Sequence, residues 1–407
     1  MQFKKAIALL LSFILLAGSS VPIAAATITT PPQKELRVQY AQIDSMVRSQ
    51  NQTIRANEKT LDSLNSNDVI KKKQDELSHS MNSLKTVSDQ LKNAYHAVSA
   101  LPATPEQQGI ATSLQGSIAS IESIGSLLKA QSDQLSISDD VIDQTELQMK
   151  EAADQIVWAA QKLFITYHYL DTERLLLQKQ KSVMESTLKL AQLKTDLGLM
   201  TQTELLDAQQ QKNTMLDSLT ELRNQQQTVK SNFGVLLGYS DDYTVSLALL
   251  PKANVDFMKN RNYEDDMQTA LESNWTLKQK KLEKEITKDN QDSNLESTED
   301  DYRAASLQHS LAKNTFSVSF QQVYREVEEK QQRLTSAQAA YDAKKKALEV
   351  MQWKLELGVA SALELQTAQL DADRAEIALE QANIHLFSAQ EKYRWALWGL
   401  LSSSEQS

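Results

Sequence analysis

Few residues in this chain could do chemistry. The absence of Cys among 407 residues excludes disulfides, thiolate zinc sites, iron–sulfur clusters and cysteine nucleophiles. The five histidines, His79, His96, His168, His309 and His385, never approach one another at the spacing of a shared metal ion. Asp289, Asp292, Asn294 and Glu296 imitate part of a calcium loop, but no Gly stands where such a loop turns sharply, so the cluster reads as a solvated hairpin apex. Tyr393, Trp395 and Trp398 lie at helical spacing and read as packing residues where a hairpin ends, not as a lipid-facing belt. The runs Lys71–Lys73 and Lys344–Lys346 read as solvent-facing or intersubunit charge. With 43 basic and 53 acidic residues the net charge is −10, which does not favour nucleic acid as a partner. The expectation is therefore a non-enzyme with no catalytic residue, no cofactor and no metal site.

Positioning falls to long helices. Nine Gly and six Pro are about 4% of the chain, against roughly 12% in average proteins, and strands need a turn every ten residues or so. The expected class is all-α, built from long antiparallel coiled-coil hairpins, with no clear β-barrel strands. From Phe316 onward, apolar residues at Phe320, Val323, Val327, Leu334, Ala337, Tyr341, Leu348, Met351 and Leu355 alternate steps of four and three, with Lys330 and Lys344 interrupting. Ile156, Leu163, Leu170, Leu177, Met184 and Ala191 recur at strict sevens, and Leu77, Met81, Leu84, Leu91, Tyr95 and Val98 form a shorter seam. Thr315 to Phe320 alternates like a strand while also starting the seam.

The N-terminus carries an address. Lys4 and Lys5 precede an apolar run over 6–17, too short to span a membrane, and small residues at Ala24 and Ala26 fit a signal-peptidase site. Residues 1–26 read as a secretory signal peptide, and removing its two Lys takes the net charge from −10 to −12. Ser19 stands where a lipoprotein would carry its acylated Cys.

An internal repeat is the most specific signal. Residues 197–209, LGLMTQTELLDAQ, match 357–369, LGVASALELQTAQ, at an offset of 160. In each copy a long helix runs into Leu-Gly, where Gly198 or Gly358 can take the left-handed conformation that satisfies the last carbonyls. Three residues on, Thr201 with Glu204, or Ser361 with Glu364, spells a capping box for the returning helix. Two hairpins with matching tips follow, their returning helices roughly 55 Å long at 1.5 Å per residue. Leu197, Gly198, Leu199, Leu357, Gly358 and Val359 are the candidate docking tips, although the same Gly and caps would serve any stable helical turn.

The fronts of the copies share Asn51-x-Thr53 and Asn274-x-Thr276 but differ in length: Asn51 to Gln161 is 110 residues and Asn274 to Gln321 is 47. The surplus of 63 in copy one reads as helical, with Thr104 as cap and Pro105 at N1. The expected organisation is a signal peptide over 1–26, a first repeat over 36–238 with a helical insertion over about 65–145, an irregular linker over 239–261, a second repeat over 262–400 and a tail over 401–407.

Duplicated, exported, all-helical and tipped by hydrophobic-Gly-hydrophobic-x-[ST]-x-x-[DE], the chain resembles the TolC-type outer membrane efflux protein family. That resemblance implies a homotrimer whose hairpins form a hollow helical tunnel. It also implies tips that face a membrane-fusion-type adaptor and an ABC-type or other inner-membrane pump, and two β-strands per repeat in an outer-membrane barrel. Here the sequence departs from the family, because polar and acidic residues 288–303 in copy two and a helical insertion in copy one stand where strands belong. The expected function is a TolC-like export conduit in the cell envelope, in the outer membrane if a barrel exists and otherwise at the wall or surface. The alternative is a secreted coiled-coil envelope spacer or adhesion stalk without transport activity.

Overall fold

The computed structural model describes residues 34–63, 70–99, 105–133, 139–239, 243–259, 261–289 and 296–401. The signal-peptide segment, Thr104, Asp292 and Asn294 lie outside these. Among the described residues the fold is all-α but for two short strands. Copy one comprises β1 (Lys34–Val38), α1 (Ile43–Gln50), α2 (Gln52–Ser63), α3 (Ile70–Ser99), α4 (Pro105–Asp133), α5 (Asp139–Asp196) and α6 (Gln202–Leu236). After β2 (Tyr243–Leu247), copy two comprises α7 (Tyr263–Ser273), α8 (Trp275–Asp289), α9 (Glu296–Glu356) and α10 (Ala362–Leu397).

The structure corrects the sequence reading of the linker. Residues 239–261 are not irregular throughout, because Tyr243–Leu247 pairs in parallel with Lys34–Val38, in the register Lys34↔Tyr243. β-Branched Val38 and Val245 turn to the same buried side, and that long-range pairing selects the strand. Thr315–Phe320, by contrast, is helical within α9, because Phe316, Phe320, Val323 and Val327 bury one continuous stripe.

Four helices make a wall in the order α6, α5, α10, α9, each packed on its neighbour. The heptad seam of α5 faces α6, and that of α9 faces α10. The shorter front helices stack end to end on the returning ones through two matching knots. Asn51 Nδ2 donates to Leu236 O at 2.8 Å at the end of α6, and its Oδ1 accepts the Thr53 N–H at 2.9 Å at the start of α2. Asn274 Nδ2 donates to Gly399 O at 3.0 Å, and its Oδ1 accepts from Leu277 N at 3.0 Å. A buried Asn side chain thus satisfies the open carbonyls of one helix and the open N–H groups of the next.

The wall has two faces. On one lies a belt of β1, α1, the linker and α7: Tyr40 packs edge-on against Phe164 and Phe387, Tyr263 packs at a tilt against Phe320, and Gln331 Nε2 reaches Val255 O at 2.7 Å. On the other lies the insertion, where α3 and α4 form an antiparallel hairpin against α5. Ser113 Oγ and Thr166 Oγ1 are 2.7 Å apart, and Lys162 Nζ donates to Ser120 Oγ at 3.3 Å. At 100° per residue, Phe164 and Lys162 point to nearly opposite sides of α5, so belt and hairpin occupy opposite faces.

Candidate docking surface at the hairpin tips

Both tips stand at the same end of the wall. Trp395 Nε1 donates to Gln161 Oε1 at 2.6 Å, Gln381 Nε2 to Thr172 Oγ1 at 3.1 Å, and Gln366 Nε2 to Ser186 Oγ at 2.9 Å. Lys179 Nζ donates to Asp373 Oδ1 at 3.4 Å. As α5 numbers rise, α10 numbers fall, so the end of α5 lies level with the start of α10.

Gly198 has φ 71° and Gly358 φ 73°. In each turn a six-residue backbone bond closes the helix: Leu199 N donates to Lys194 O at 2.8 Å and Val359 N to Lys354 O at 2.9 Å. Thr201 N donates to Glu204 Oε2 at 2.8 Å while Thr201 Oγ1 accepts from Glu204 N at 3.3 Å. Ser361 and Glu364 repeat the exchange at 2.7 and 3.2 Å. These local bonds fix both turns without using the apolar side chains beside the glycines. Leu197, Leu199, Leu357 and Val359 are accordingly 64, 74, 77 and 71% exposed. Trp353, one turn before the second tip, is 63% exposed.

Backbone and side-chain hydrogen bonds from Thr201 hold Glu204 below the usual carboxylate range, and those from Ser361 do the same for Glu364. A depressed carboxylate stabilises its cap above the ordinary pKa near 4.5 and loses that contribution as pH falls through the lowered value. Amide exchange at the first turns of α6 and α10 is expected to quicken below about pH 4.5 while the helix middles stay protected. Glu204→Gln and Glu364→Gln, which keep an acceptor but cannot titrate, should remove that pH dependence, and its persistence in both variants would refute the capping account.

A second arrangement was not legible as a site. The residues of α5 that hold copy two are Glu151, Asp154, Gln161, Thr172, Glu173, Lys179 and Ser186; Glu151 and Asp154 accept from Gln279 Nε2 at 2.7 Å and Trp275 Nε1 at 2.8 Å. Moving 160 residues along gives Leu311, Asn314, Gln321, Gln332, Arg333, Ala339 and Lys346 on α9, and every one of them is exposed. The partners Gln366 and Asp373 map back to Leu206 and Asn213 on α6, also exposed. The repeat was visible in the sequence; which of its faces meet was not.

Among the described residues no cluster of His, Asp and Glu could hold a metal ion, and no helix is long and apolar enough to cross a membrane. No family model matches the chain, and neither does any curated relative. The chain is similar to solved outer-membrane proteins. With the outer membrane protein VceC of Vibrio cholerae it shares 13% identity at a TM-score of 0.49, covering 88% of this chain and 96% of that one. With a membrane protein from Pseudomonas aeruginosa the values are 11% and 0.47, covering 86% and 93%. With the outer-membrane channel OprN they are 12% and 0.44, covering 89% and 90%.

Proposed function

We propose that the protein is a TolC-like export conduit of the cell envelope. In this reading copies assemble side by side into a helical tube, and the paired tips dock a membrane-fusion-type adaptor and its pump. The observation that carries this is the bare stripe on α9. Within one chain, copy one seats copy two through α5 and α10; the equivalent positions on α9, of which only Gln321 keeps the residue of α5, are all exposed, as are Leu206 and Asn213 on α6. A contact between α9 of one copy and α6 of the next would repeat the internal one, and such a heterologous contact closes into a ring when the rotation permits. Three copies, as the family resemblance implies, would place twelve helices around a lumen and all six tips at one end. An envelope spacer needs neither a closed ring nor paired tips, so the stripe favours the conduit.

The register makes one intersubunit pair explicit. Where Gln381 meets Thr172 and Glu173 inside the chain, the next contact would set Glu221 against Gln332 and Arg333, a pair of opposite charges. Arg333→Glu is expected to shift the assembly to monomer in light scattering while circular dichroism is unchanged, because Arg333 is exposed in the single chain. Adding Glu221→Arg should restore it, since the swap re-forms the pair in reverse. Failure of the double variant to recover, with a folded monomer, would reject this interface.

A further inference from the structure

We propose that the α3–α4 hairpin stands on the lumenal face of the conduit and narrows it, so that this insertion sets the size of the cargo that passes. The inference rests on the conduit reading above and concerns an element that copy two lacks.

The seat of the hairpin is specific to copy one. It covers Lys162, Thr166 and Tyr169, which are buried or half-buried on α5. The hairpin comes so close that a Cβ on Gly109 would lie 3.1 Å from the Tyr169 hydroxyl. The residues 160 positions along are Gln322, Glu326 and Glu329, polar or charged where no hairpin lies. The chain has therefore built a particular seat for the hairpin. Its level is fixed too: Ser120 meets Lys162 and Ser113 meets Thr166, so α4 runs antiparallel to α5, and α3 and α4 lie alongside the wall instead of projecting beyond it.

Which face is lumenal follows from the bare part of α9. On the hairpin side, the stripe that continues from Gln322 and Glu329 carries Arg333 and then, toward the tip, Ser336, Ala340, Ala343 and Ala347, all exposed. On the belt side, the stripe that continues from Gln331 carries Gln338, Asp342, Lys345 and Glu349. Side chains converge on the concave face of a closed cylinder and diverge on its convex face, so small residues belong inside and long charged ones outside. The belt is then external and the hairpin internal.

The space suffices, but only just. Twelve helices about 10 Å apart form a ring of about 19 Å radius to the axes, leaving a lumen of about 14 Å radius. A hairpin lying flat is one helix layer, about 10 Å thick, which leaves a passage about 8 Å wide. Extended small molecules fit such a passage; a folded domain does not.

The absence of native Cys permits a direct test with single cysteines in the full mature chain. Thr86 and Asn93 are exposed on the side of α3 turned away from its buried seam. In Thr86→Cys and Asn93→Cys, thiols of neighbouring copies would stand about 8 Å apart if the hairpins line the lumen, and about 60 Å apart if they decorate the outside. The expected result is covalent dimers holding about two-thirds of the chains, the most that one thiol per copy of a trimer allows, with a short bis-maleimide in the assembled oligomer, slow reaction with a bulky polyethylene-glycol maleimide, and no cross-linking of Glu349→Cys on the belt side. An intact oligomer whose Thr86→Cys and Asn93→Cys thiols do not cross-link and react freely with the bulky reagent overturns the inference and leaves the conduit standing. A chain that light scattering finds monomeric overturns the conduit and this inference together.

Discussion

Replacing Leu199 and Val359 together by Asp is expected to abolish capture of an adaptor and export, with the melting temperature unchanged. The sequence allowed two roles for these residues, as exposed knobs or as plugs closing each hairpin against its own helices. The conformation gives the physical expectation for stability: both side chains are more than two-thirds exposed, and the turns are held by backbone bonds and capping boxes in which neither participates. An Asp at such a position desolvates nothing and leaves no cavity, so its cost to folding should stay within about 0.5 kcal/mol. An apolar knob at the centre of an interface can contribute 2 kcal/mol or more, and two per chain multiplied around a ring would act together. Melting and adaptor pull-down on the same purified variant separate the effects. Full binding by a folded double variant would end the docking proposal, whereas a lowered melting temperature would show that the tips have a structural load after all.

The largest stability effects are expected not at the tip glycines but at the two knots. Gly238 has φ 78° and Gly399 φ 105°, and a Cβ on either would lie 2.2 Å from a backbone carbonyl, that of Gln50 or of Ser273. Nothing in either place is a flexible side chain that can swing away. Gly238→Ala or Gly399→Ala must therefore separate the front helix from the returning one and break the hydrogen bonds of buried Asn51 or Asn274. Left-handed strain of about 1–2 kcal/mol, added to about 1–3 kcal/mol for unsatisfied buried polar groups, predicts a loss of about 3 kcal/mol or more at each knot. At Gly198 and Gly358 a Cβ meets nothing within 4 Å, so only the backbone strain remains and Ala should cost about 1 kcal/mol. Chemical denaturation of the four single variants ranks them. Equal costs at tips and knots would contradict the close approach on which the ranking depends.

What the sequence determined by itself was whatever depends on neighbours along the chain. Helix and turn are local: Gly198 and Gly358 hold their turns because glycine alone takes positive φ cheaply, and Thr201-x-x-Glu204 and Ser361-x-x-Glu364 close their own hydrogen bonds within four residues. The 3,4 seam on α9 could be read because its apolar spacing matches the helix period, and that same period outweighed the strand-like alternation of Thr315 to Phe320. Tertiary structure alone decided everything that joins distant segments. The pairing of Tyr243–Leu247 with Lys34–Val38 spans some two hundred residues, and the β-favouring run Tyr-Thr-Val-Ser-Leu becomes a strand only through that distant partner. Likewise Asn51 and Asn274 announced a similarity between copies, but not that each would tie two helices end to end, because their hydrogen-bond partners lie 185 and 125 residues away. The faces of α5 and α9 hold equivalent places in the repeat but carry different residues and meet different surroundings: one is covered by copy two and by the α3–α4 hairpin, the other is bare. Burial is a property of what a face meets, and a single chain's sequence specifies the face without specifying its neighbour.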